Sequence, residues 1–345
     1  MTLTTLMTRA FGALALTAAC SCAPALAGPY SSLYAFGDSL SDVGNDALLT
    51  GGAIPNAAIY TDGTTSGRFT NGRNYIDLLG ADLGVGIAPS VSGGTVYAYG
   101  GARTDSIQPG LAALGGLSFN QQIAQFDSTH AAADPNALYL IWIGANDMSD
   151  AITAAALGNP GAIGSAITGA MSSIGAAIGN LASKGATHFL IPNLPDLSLT
   201  PAINGYGNPG LSALAHGASI GFDQALAALL QSFGGLDIRG LDIFDDLNAV
   251  VADPATYGFT NTTQSCYTGD VTGAPLPGGP PPTVCAHPDQ YLFWDYEHPT
   301  AALDAIIAAK AYAVAIPEPA AIWVVVALAA AWATRRRRRV PFVAQ

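Results

Sequence analysis

Short apolar runs alternate along the chain with longer segments in which apolar residues recur at three- and four-residue steps. A strand buried on both faces reads as a continuous apolar run, whereas a covering helix shows one apolar stripe, so this alternation predicts parallel strands joined by helical crossovers. The runs predict strands at residues 33–36, 95–99, 138–143, 188–191 and 236–243. The stepped segments predict helices at 75–83, 119–126, 162–183, 211–233 and 300–315, the third stopped by Lys184-Gly185. The implied fold class is α/β: a three-layer α/β/α sandwich with a central five-stranded parallel sheet. Two stretches break the alternation: 48–65, with scattered apolar residues, and 261–288, with a Gly/Pro run at 273–282.

The 345 residues suffice for one sizeable domain, and both ends read as targeting segments. Residues 1–27 carry Arg9, an apolar stretch and then Ala25-Leu26-Ala27 before Gly28, which is the layout of a secretory signal peptide. At the other end Pro317-Glu318-Pro319 precedes an apolar run flanked by Trp323 and Trp332, and Arg335 to Arg339 follow it. By the positive-inside rule those arginines hold this end in the cytoplasm. The order of motif, apolar run and basic cluster resembles the PEP-CTERM sorting signal of Gram-negative bacteria. That resemblance implies processing at Pro-Glu-Pro and removal of the tail, with the alternative of a retained anchor. The predicted organisation is signal peptide 1–27, a central domain 28–316 and sorting segment 317–345, with localisation outside the cytoplasm after transient contact with the inner membrane and the export machinery.

Residues 28–316 contain six basic and 23 acidic residues, a net charge of −17. Such a domain repels phosphate backbones, which excludes nucleic acid as a partner and favours a neutral substrate. Cys20 and Cys22 leave with the signal peptide, so Cys266 and Cys285 remain in an oxidising compartment and are expected to pair. Two cysteines without paired histidines fall short of a metal-ligand set, so no metal and no cofactor is expected.

The first predicted strand runs into Gly37-Asp38-Ser39-Leu40-Ser41-Asp42-Val43-Gly44-Asn45. Ligands of open α/β sheets bind beyond the carboxyl ends of strands, a position that suits a nucleophilic serine. Three further blocks follow in order: VYAYGGAR at 96–103, Gly144-Ala145-Asn146-Asp147, and Asp295-Tyr296-Glu297-His298-Pro299-Thr300. Together these four blocks, spread over residues 32–312, resemble the GDSL (SGNH) serine esterases and lipases. The resemblance implies a flavodoxin-like sheet, Ser39, Asp295 and His298 as catalytic triad, and Ser39, Gly101 and Asn146 as oxyanion-hole donors. Val96 stands where many relatives place Asn, which leaves Gly100 open as the alternative to Gly101.

Elementary chemistry supports these assignments. A serine hydroxyl needs a neighbouring base, a histidine can supply it, and a carboxylate can orient that histidine. A separation of three residues lets Asp295 and His298 project from one turn, whereas Val284 stands three residues before His287 and offers no acid. Asp38 and Asp147 read as hydrogen-bonding supports, Trp142 as core, and His130, His188 and His216 as structural or exposed. Asp242, Asp245 and Asp246 read as a strand end entering a helix N-terminus. The loops 48–65 and 261–288 adjoin the catalytic blocks and are expected to rim the substrate pocket.

The implied activity is an exported serine carboxylic ester hydrolase working through an acyl-enzyme on a small-molecule or lipid ester. The alternatives are an O-acetyl esterase of extracellular polysaccharide and a non-catalytic binding protein of the same fold.

Overall fold

The computed structural model describes residues 29–316, so the signal-peptide and sorting-segment expectations lie outside the described residues. Leu33–Gly37 (β1), Leu138–Trp142 (β2), His188–Pro192 (β3) and Asp237–Leu241 (β4) form one parallel sheet in the order β1-β2-β3-β4. Leu33 pairs with Leu138, and His188 lies beside both Leu138 and Asp237. β2 is buried along its whole length, which is why its sequence, Leu-Tyr-Leu-Ile-Trp, shows no polar alternation.

The helices in chain order are α1 (Asn45–Thr50), α2 (Tyr75–Leu83), α3 (Pro109–Ala112), α4 (Phe119–Thr129), α5 (Ala145–Ala156), α6 (Ala162–Ser183), α7 (Pro201–Asn204), α8 (Pro209–Gln231), α9 (Ile243–Ala252) and α10 (Ala301–Ala315). Successive strand residues point to opposite faces, so the core divides in two. Phe36, Tyr139, Ile141 and Phe189 pack on one face against α4, α5, α6 and α8. Leu33, Leu138, Leu140 and Leu190 pack on the other against α2, α9 and α10. Local chemistry sets several helix starts: Asn74 and Asp77 form a capping box on α2, and Ser118 and Gln121 form one on α4. Thr300, predicted as the first residue of the last helix, is instead its N-cap. α5 was not foreseen, because its opening Asn146-Asp147 reads locally as a turn.

The regular sheet has four strands, not the expected five. Residues 95–99 run parallel beside β1, where Thr95 accepts from Ala35 N–H and Tyr97 N–H donates to Ala35. The ladder is interrupted at Gly37, whose N–H donates to Gln122 Oε1 from α4 at 2.9 Å, while its carbonyl accepts from both Gln122 Nε2 at 2.8 Å and Tyr99 N–H at 3.3 Å. On the outer side Asn45 Nδ2 donates to the carbonyls of Val96 and Ala98. Gln122 thus takes the Gly37 N–H that a continued ladder would send to the 95–99 segment.

The loop 261–288 opens as a strand, Asn261–Ser265 (β5), paired in parallel with Tyr291–Phe293 (β6). Cys266 and Cys285 are disulfide-bonded, with Cα atoms 4.8 Å apart. Cys266 packs with Tyr60, Tyr267 and Trp294 in a small third core that joins the two long loops.

Candidate active site

β1 delivers the Gly37-Asp38-Ser39 turn at the carboxyl edge of the sheet, and the segment between β6 and α10 brings Asp295 and His298 to it. Asp295 Oδ1 accepts the backbone N–H groups of Glu297 and His298 at 2.9 and 2.8 Å, closing the tight turn that the three-residue spacing anticipated. His298 Nδ1 lies 2.7 Å from Asp295 Oδ2, and His298 Nε2 lies 2.8 Å from Ser39 Oγ. Asp295 and His298 are buried, while Ser39 opens on a cavity. The Phe69 ring covers one side of the imidazole, with centroids 5.2 Å apart.

Burial alone would raise the Asp295 carboxyl, but the charge and hydrogen bonds of His298 outweigh it and hold the group below the usual carboxylate range. Burial would likewise lower the imidazole, yet Asp295, with Glu297 and Asp38 behind it, pushes His298 up to about 9. Burial pushes Asp38 up to about 7, and its Oδ1 accepts the N–H of Leu40.

Of the two glycines left open by the sequence, Gly100 has its N–H engaged, donating to Asp46 Oδ2 at 2.7 Å. A Cβ there would meet Phe69 at 2.3 Å, so only glycine fits. Gly101 has φ +67°, and its carbonyl is held by Arg103 Nη1 at 2.8 Å. No acceptor for the Gly101 or Ser39 N–H is found among the described residues. Asn146, at the start of α5, lines the cavity and uses one amide hydrogen on the Ala102 carbonyl at 3.1 Å, leaving its second for a ligand. Asp147 behaves as a support, binding Thr104 through both backbone and hydroxyl.

Several contributors were not visible in the sequence. Asp42 gathers the N–H groups of Gly44, Asn45 and Asp46, and Asp46 in turn grips Gly100, so the first block physically sets the second. Burial raises both carboxyls, and the charge of Asp42 raises Asp46 further. Arg103 is fixed by a bidentate pair with Asp150. Tyr60 donates its hydroxyl to Asp295 Oδ2 at 2.7 Å across 235 positions of sequence, a separation over which no local signal exists.

The cavity, about 250 Å³, is lined from α5, α7, α8, α9 and α10. None of residues 48–65 or 261–288 lines it, so the expectation that they form its rim is corrected. Their aromatic residues bury one another behind Asp295 instead. His188 and His216 each bond an aspartate, Asp237 and Asp196, and neither lines the cavity. Asp242 caps α9, as its position at a strand end implied, and Asp246 pairs with Lys310.

Residues 33–311 match the model of the GDSL-like Lipase/Acylhydrolase family. The chain belongs to that family, and with it to the ester-hydrolysing enzymes. A GDSL esterase/lipase of Arabidopsis thaliana is 26% identical over 313 residues, covering 78% of this chain and 82% of the relative. Lipase 1 of Photorhabdus luminescens is 34% identical over 176 residues, which is 50% of this chain but only 24% of that larger lipase. A solved member of the lipolytic protein G-D-S-L family from Veillonella parvula is 15% identical, with a TM-score of 0.39 over 82% of this chain and 97% of that one.

Proposed function

We propose that this family member hydrolyses carboxylic esters through an acyl-enzyme, with Ser39 as nucleophile, His298 as base and then acid, and Asp295 orienting the imidazole. The reading rests on the unbroken line from Asp295 Oδ2 through His298 to Ser39 Oγ, with spacings of 2.7 and 2.8 Å. His298 takes the Ser39 proton as Oγ bonds to the acyl carbon, then gives it to the departing alkoxide, which leaves as the alcohol. A water, deprotonated by the same imidazole, attacks the acyl-enzyme and releases the acid and Ser39. The unengaged N–H groups of Ser39 and Gly101 and the second amide hydrogen of Asn146 are the donors for the oxyanion. A binding module of the same fold has no need of this alignment.

The cavity favours an apolar acyl group over an acetyl group on polysaccharide. Its lining includes Ile243, Leu247 and Val250 of α9 and Leu303, Ile306 and Ile307 of α10, together with the Asp246–Lys310 pair. Such apolar walls reward burial of methylene groups. A panel of esters of rising acyl length, together with an acetylated polysaccharide, tests this directly. Activity that vanishes in Ser39→Ala and rises with acyl length supports the proposal. An active Ser39→Ala protein of normal circular dichroism removes it.

Export belongs to the same proposal. The layout of residues 1–27, the Pro317-Glu318-Pro319 segment with its arginine tail, and the Cys266–Cys285 disulfide all favour a destination beyond the cytoplasm. Intact-mass measurement of protein from its native host tests it, because a chain still ending in Gln345 and lodged in the inner membrane contradicts sorting.

A further inference from the structure

Asp295 Oδ2 accepts two hydrogen bonds at once, from His298 Nδ1 and from the Tyr60 hydroxyl, each at 2.7 Å. Tyr60 is fully buried, and its ring packs edge-on against Tyr267 and Trp294 with centroids 5.8 and 6.1 Å away. Burial and the charge of Asp295 keep its phenol protonated, so towards the carboxylate it acts only as a donor. It arrives on residues 48–65, whose Asn56 is tied to the other long loop through the backbone of Val271 and Thr272.

A donor on the oxygen that also binds an imidazole fixes the carboxylate plane and withdraws part of its charge from the histidine. From this geometry we infer that Tyr60 is a positioning residue of the triad, its hydroxyl orienting Asp295 and moderating the pull of that carboxylate on His298. The inference rests on the ester-hydrolase reading of Ser39, Asp295 and His298. The other charges that bear on His298 are Glu297, Asp38 and Asp304, with Arg103 acting on Glu297. The titratable groups around Asp295 are Tyr60, Tyr267, Tyr296, Glu297 and His298. Tyr60 supplies the one side-chain bond to Asp295 besides that of His298 among the described residues. The Tyr267 hydroxyl, in the same aromatic cluster, is buried with no partner among the described residues and serves as the control.

The experiment compares Tyr60→Phe, Tyr267→Phe and Ser39→Ala in the full protein, measuring kcat, KM and the pH dependence of kcat/KM on p-nitrophenyl butyrate. Tyr60→Phe should lower kcat about tenfold with KM unchanged, the size expected for one hydrogen bond to a charged group. The acid limb of its pH profile should move to higher pH, because an unshared carboxylate holds the imidazolium more tightly. Tyr267→Phe should change neither. In an Asp295→Ala background the Tyr60→Phe loss should disappear, since Tyr60 acts through Asp295. An unmoved or lowered limb, equal losses in both phenylalanine variants, or a loss that persists without Asp295 overturns the inference. If Tyr60→Phe does not fold, 3-fluorotyrosine at position 60 replaces it. This more acidic donor should move the limb to lower pH, and an unmoved limb counts against the role. The Ser39→Ala arm separates the two levels. Retained activity there removes the hydrolase reading, whereas an inert Ser39→Ala beside a wild-type Tyr60→Phe removes only the role of Tyr60.

Discussion

Replacing Ile306 with tryptophan should shorten the acyl slot without touching the reaction centre. From Leu303 to Lys310 the slot follows seven residues of α10, about 10 Å of helix at 1.5 Å per residue. An extended chain advances about 1.2 Å per bond, so the slot accommodates roughly eight methylene groups. Each buried methylene contributes about 0.8 kcal/mol, so the wild-type kcat/KM should rise about fourfold per added carbon until the slot is full. Ile306 precedes Lys310 by one turn of α10, and an indole there should close off about 5 Å, or roughly four methylene groups. The loss for an octanoyl or decanoyl ester is then about 3 kcal/mol, or roughly two hundredfold in kcat/KM. The acetyl ester should be unaffected. The assay is hydrolysis of p-nitrophenyl esters from acetyl to hexadecanoyl, read for both proteins under the same conditions. A wild-type profile flat with chain length, or an Ile306→Trp profile that drops equally for acetyl and octanoyl esters, refutes the assignment of the acyl group to this slot.

Asn146→Ala removes one donor from the oxyanion site and should lower kcat by about a hundred- to a thousandfold with little change in KM, measured on the preferred ester. The kcat/KM of the wild type should rise with pH to about 9, because the imidazole must be neutral to act as base and its proton is held well above the usual range. Stability runs the other way. The raised His298 contributes fully below its unfolded value of about 6.5 and loses that contribution as pH rises through about 9, which thermal melts across this range should reveal. Mass spectrometry of an unreduced digest should recover Cys266 joined to Cys285, and reduction should lower kcat equally for short and long acyl chains. The joined loops pack behind Asp295 instead of along the slot, so a change of chain-length preference on reduction contradicts that placement.

Much of the molecule is local enough to be read from residue order. The apolar run of β2 and the stepped pattern of α2, α4, α6, α8 and α10 each record a single burial environment, so strand and helix identities follow from periodicity. Ser39 and the Asp295-to-His298 turn were legible for the same reason, since a strand end and a three-residue spacing are local geometry. The choice between Gly100 and Gly101 was not, because it depends on where Asp46 sends its carboxylate. Nor was the loss of the fifth strand, which follows from one amide, Gln122, reaching Gly37 across the core. The two long loops do not rim the cavity, because neighbourhood in sequence says where a loop leaves the core, not which face its aromatic residues bury. Tyr60 meets Asp295 only once the sheet, the disulfide-bonded loop and the third small core have assembled, and contacts between such distant residues carry no periodic or spacing signal. Sequence by itself therefore determined the candidate groups and their scaffold, while tertiary packing decided which donors stay free, what holds the carboxylate and how the cavity is walled.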